Sequence, residues 1–161
     1  MSRGALNILD MLDEDSLRDE DWFKERRDRD PASEFTRQVH FLAALKKMAP
    51  KVDALAVPNA GRSSDWERIR RHKEGARAGA LDLQMTWKPT RPDDRGIFFA
   101  EFKDGDGVPS KAQRERLNLY FRQGHKCGVY RTGAQLLLHL FEAGAPFLIP
   151  PQPMERNRAR I

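Results

Sequence analysis

At 161 residues the chain is long enough for one domain with a real hydrophobic core, and it holds no apolar run approaching the roughly 20 residues of a membrane span. Its net charge of +5 is uneven: residues 1–32 carry ten acidic and six basic side chains, the rest 14 acidic and 23 basic, an excess that favours an anionic partner, nucleic acid first. Cys127 is the single cysteine, which excludes an internal disulfide; with an acidic rather than basic-then-apolar N-terminus, the expectation is a cytoplasmic protein.

Residues 1–31 read as a charged, flexible arm, with Leu6, Ile8, Leu9 and Leu12 able to form a short helix before the segment becomes almost pure charge. The folded domain is expected over 32–145. Ser33 is a helix N-cap by type, and Phe35, Val39, Leu42, Leu45 and Met48 fall on one stripe of a helix that Ala49-Pro50 ends. Residues 52–57 read as a strand stopped by Pro58-Asn59-Ala60-Gly61. The charged stretch 63–73 reads as a helix or an ordered loop, rich in Arg.

Residues 81–87 alternate, with Leu81, Leu83, Met85 and Trp87 opposite Asp82, Gln84 and Thr86, the pattern of a half-buried strand. A polar turn over 88–96 folds it back, as a hairpin, onto 97–103. That second strand is apolar on both faces, so it belongs at the centre of the sheet. Ser110 caps a helix that Gly124 stops; 127–130 is a last strand and 134–143 a last helix. The tail 146–161 is rich in Pro and Arg and reads as disordered. The fold class is α/β, a mixed sheet flanked by helices in the order αβββαβ, with the last strand parallel to its neighbour through a right-handed crossover.

The hairpin brings Asp82, near the start of one strand, to the same edge as Glu101 and Lys103, at the end of its partner. Two carboxylates and a lysine at a sheet edge suit Mg2+-dependent phosphodiester hydrolysis, because this hard cation takes a few carboxylates and keeps waters and phosphate oxygens as its other ligands. The backbone carbonyl of Phe102 offers one more oxygen. The lysine would position the water or neutralise developing charge.

Asp82, an 18-residue gap and then Glu101-Phe102-Lys103 resembles the PD-(D/E)xK nuclease superfamily. The chain is closer still to its VRR-NUC branch, over Pro58-Asn59-Ala60-Gly61-Arg62, Lys73 to Gly79, Asp82-Leu83, Glu101 to Lys103 and Ser110-Lys111-Ala112-Gln113. Leu81 stands where the family has Pro, and the Val-Arg-Arg string behind the branch's name is absent. The resemblance implies a restriction-endonuclease-like core and a nuclease dependent on Mg2+ or Mn2+; some members cut branched DNA. It makes Asp82 and Glu101 metal ligands and Lys103 the catalytic lysine. Glu34 matches a first-helix glutamate that completes the metal site, and Gln113 the glutamine that follows the motif.

Each position has a plainer explanation. Glu34 suits the positive end of a helix dipole, Gln113 is the far half of a capping box begun by Ser110, and Asp82 is an exposed strand residue beside Gln84 and Thr86. Lys73, Arg62, Arg70, Arg71 and Arg77 form either a solvated helix face or, with Asn59, a contact surface for the phosphate backbone. The functional expectation is a DNA nuclease, in which structure-specific cutting would call for a homodimer. The competing class is a binding or phage-assembly module that keeps the fold without cleavage.

Overall fold

The computed structural model describes residues 17–57, 64–75 and 78–153. Five strands form one mixed sheet: β1 (Phe23–Lys24), β2 (Asp53–Ala56), β3 (Leu83–Thr86), β4 (Ile97–Phe102) and β5 (Lys126–Tyr130), in the spatial order β1-β5-β4-β3-β2. β3 and β4 are antiparallel, with Leu83 opposite Ala100 and Thr86 opposite Ile97, while β5 runs parallel to β4. The hairpin and the crossover therefore form as the apolar alternation requires, and β4 sits centrally with both faces covered. The turn between β3 and β4 needs glycine at position 96, where φ is +65° and a Cβ would lie 2.5 Å from the Trp87 carbonyl oxygen.

Helix α1 (Glu34–Met48) and helix α4 (Gly133–Glu142) cover one face of the sheet, packing Phe41, Leu45, Leu136 and Leu140 onto Phe98, Ala100, Phe102 and Tyr130. Helix α3 (Lys111–Arg122) covers the other face, where Leu117 meets Leu81, Phe99, Cys127 and Val129. Burying each large apolar side chain contributes about 2 kcal/mol. Helix α2 (Asp65–Lys73) links β2 to β3 and resolves the charged stretch as a helix. No helix among the described residues is long and apolar enough to cross a membrane.

Three expectations give way. The first helix buries only part of the expected stripe: Leu45 is buried and Leu42 and Met48 pack against the core, but Phe35 and Val39 are exposed, and Arg37 and Phe41 face inward instead. Both stripes have helical spacing, but the chosen one lets the Arg37 guanidinium satisfy all its donors. It donates to Ala32 O, Asp28 Oδ1 and Oδ2, Asp30 O and Arg131 O.

Residues 17–31, expected as a flexible arm, are bound to the domain. β1 pairs in parallel with β5, and Trp22 is buried with its indole N–H on Asn118 Oδ1 at 2.8 Å. The Glu25 carboxylate accepts from the Arg131 and Thr132 amides and the Thr132 hydroxyl. Asp19 pairs with Lys24 of the same segment and with Arg114 of the domain. The start of the tail is also ordered. Leu148 and Ile149 both donate to the Met48 carbonyl at 2.8 and 3.2 Å, and Phe147 packs edge-on against Phe141. The short helix expected near Leu6 and the end of the tail lie outside the described residues.

Candidate active site

The site grows from the hairpin register. One step beyond the Leu83–Ala100 pair, Asp82 stands opposite Glu101, so the two side chains leave the sheet on the same side. Each carboxylate is tied to a backbone amide of the other's strand. The Asp82 amide donates to Glu101 Oε2 at 3.1 Å, and the Phe102 amide donates to Asp82 Oδ2 at 2.8 Å. The approach to Asp82 is set by Gly79, whose φ is +77° and whose added Cβ would lie 2.2 Å from the Ala112 carbonyl oxygen. The strand's entry thus presses on the first turn of α3.

Lys103 leaves β4 on the same side as Glu101. Its Nζ lies 2.7 Å from Glu101 Oε1 and 3.4 Å from Glu34 Oε1. Glu34 belongs to α1, on the opposite face, so Lys103 reaches around the strand end to join the two layers. Gln113 serves both roles the sequence leaves open. Its Oε1 accepts from the Ser110 amide in a capping box, and its Nε2 donates to Glu101 Oε1 at 2.5 Å. An amide has two ends, and here the ends answer to different masters: the helix cap and the cluster.

Glu101 has no exposed surface and Lys103 only 8%. Burial first, and then the charge of Asp82, raises the Glu101 pKa to about 7 against the opposing pull of Lys103. For Lys103 burial works against the charged form, yet the hydrogen bond and charge of Glu101, followed by Glu34 and Asp82, hold its pKa above the ordinary value. Three acidic groups thus surround one lysine. The cluster carries more negative charge than it neutralises, and that imbalance fits a divalent cation.

The donor chemistry fits Mg2+ or Mn2+: two carboxylates gathered at a strand end, with waters and phosphate oxygens left to complete the shell. Among the described residues, however, no three of His, Cys, Asp and Glu gather closely enough to form a ready-made metal cage. Glu34 leans on Lys103 and not on the carboxylate pair. Phe102 lies between the charged residues with its ring in the core against Phe41, centroids 5.7 Å apart.

Two buried arginines, which carry no motif in the sequence, hold the segments next to Glu34 and Lys103 in place. Arg37 clamps the segment from Asp28 to Ala32, and Arg131 donates to the carbonyls of Glu25, Asp104 and Gly107, the last at 2.8 Å. The signal for Arg37 was its spacing, one turn before Phe41 and two before Leu45. Of the basic candidates, Lys73 and Arg70 are exposed on α2, with Arg70 Nε 3.5 Å from Glu74. Arg71 is in the same helix, though its side chain is outside the described ones; Asn59, Arg62 and Arg77 lie outside the described residues.

No family model, curated protein or solved structure matches the chain.

Proposed function

We propose that this chain is a metal-dependent DNA nuclease with a restriction-endonuclease-like core of the VRR-NUC type, acting in the cytoplasm. One observation carries the reading: the buried Asp82 and Glu101 carboxylates stand side by side at a strand end, with Lys103 Nζ 2.7 Å from Glu101 Oε1. Such a cluster costs stability, and perturbed groups of this kind gather where chemistry is done.

Mg2+ or Mn2+, when bound, would offset negative charge on the phosphate and acidify a water to serve as nucleophile. Asp82 and Glu101 would provide the carboxylate oxygens that hold it, with the Phe102 carbonyl and Glu34 as further donors. Lys103 orients the attacking water and places a cation where negative charge grows on the phosphate. Gln113 fixes the Glu101 carboxylate through its amide N–H. Lys73, Arg70 and Arg71, with Asn59, Arg62 and Arg77, contact the phosphate backbone.

The test is cleavage of single-stranded, duplex, flap and four-way-junction DNA, and of RNA, in Mn2+. Cutting should cease in EDTA and on Asp82→Asn or Lys103→Ala while binding persists; cutting that survives both changes would overturn the reading. A homodimer is part of the proposal, and light scattering that finds only monomer, with and without DNA, would remove that part. The second reading, a binding module without cleavage, is favoured by the closed network at Glu101, whose two oxygens already accept from Lys103, Gln113 and Asp82. It expects no metal-dependent cutting and indifference to both substitutions.

A further inference from the structure

We infer that Phe35 is a stacking platform for an unpaired base at the mouth of the Asp82–Glu101–Lys103 cluster, so that the DNA bound here has an unpaired strand beside the phosphate to be cut. The inference rests on the nuclease reading for its chemistry and adds the class of DNA.

Phe35 follows Glu34, whose carboxylate is 3.4 Å from Lys103 Nζ. Successive helical residues turn by about 100°. Glu34 shares the angular position of Phe41 and Leu45, seven and eleven residues on, while Phe35 and Val39 are turned about 100° or more away from that stripe. Phe35 is therefore beside the site and turned to solvent, 76% exposed.

The loop after Lys103 supplies the other lip. A Cβ at Gly107 would lie 3.6 Å from Lys103 Cδ, and the next residue, Val108, is 60% exposed. The Asp28 amide donates to the Gly105 carbonyl, so this loop also touches the segment clamped by Arg37. That segment presents Arg26, Arg27 and Arg29 to solvent, and none forms an ion pair with a described residue.

An aromatic face at Phe35, an apolar lip at Val108 and three solvent-facing arginines lie on the segments that adjoin Glu34 and Lys103. A polyanion whose monomers each carry a flat π-face matches all three. A second copy of the chain matches less well, because a two-fold contact through Phe35 would bring both sets of arginines together. Bases inside an intact duplex are stacked on one another and cannot cover Phe35 without being extruded, which an unpaired base need not be.

The experiment measures binding of the full chain by fluorescence anisotropy in EDTA, so that hydrolysis plays no part. The probes are a short oligothymidylate and a blunt hairpin duplex. Phe35→Ala should weaken oligothymidylate binding by about tenfold and duplex binding by less than about twofold, with Phe35→Trp close to the parent. Equal losses on both probes, no loss on either, or no binding by the parent would overturn the inference. So would a Phe35→Ala protein that binds as before but sediments as a smaller species, which would make α1 a self-association face. Cleavage in Mn2+ is scored separately. A parent that never cuts but shows the selective loss sinks the hydrolytic reading alone; a parent that cuts without it sinks the stacking alone.

Discussion

Gln113 Nε2 and Lys103 Nζ donate to the same oxygen of Glu101, Oε1, at 2.5 and 2.7 Å. One comes from a helix cap and the other from the strand's own end, so a single buried carboxylate oxygen joins the α3 layer to the sheet. Gln113→Ala should cost about 1–2 kcal/mol by losing both the cap and the Glu101 contact. Gln113→Glu keeps the reach but adds a carboxylate beside Glu101. Thermal melts should find it less stable than the parent at pH 8 without metal and disproportionately stabilised by Mn2+.

Stability should depend on pH through Glu101. Its folded pKa of about 7 lies above the ordinary 4.5, so the folded form holds the proton more tightly than the unfolded chain. The resulting stabilisation is complete below the unfolded value and is lost as pH rises towards 7. Urea denaturation of the metal-free protein should show a fall of about 3 kcal/mol across that window. Glu101→Gln should flatten the profile.

Arg37→Ala strips four hydrogen bonds from the segment that leads into α1 and one from the Arg131 carbonyl, and leaves the Asp28 carboxylate without its guanidinium. That guanidinium, through its hydrogen bond first, holds the Asp28 pKa below its ordinary value. A loss of about 3 kcal/mol is expected. Limited trypsin digestion should now cut at Arg26, Arg27 and Arg29, which are exposed but held in place in the parent.

Phe41 and Phe35 differ by six residues and by the whole thickness of the helix. Phe41, 1% exposed, packs on Phe102 between the two charged ends of the motif. Phe41→Ala should cost about 3–5 kcal/mol and depress cleavage by loosening Phe102. Phe35→Ala should change stability by less than about 0.5 kcal/mol, a contrast that one set of urea titrations will settle.

Local chemistry was enough to place the hairpin, the Ser110 cap and the meeting of Asp82 with Glu101, because alternation and turn residues act over a few positions. The mixed sheet followed from the order of apolar runs. Tertiary structure alone decided three matters. Two helical stripes competed in 34–48, and only the donors waiting around Arg37 selected the one that leaves Phe35 in water. The acidic segment before Pro31 looked solvated until the Arg131, Thr132 and Asn118 partners, about 100 residues away, captured Glu25 and Trp22. Glu34 met Lys103 and not the carboxylate pair because α1 lies across the opposite face of the sheet. Periodicity within one element reports which faces are available; the charges and donors of distant elements determine which of them is buried.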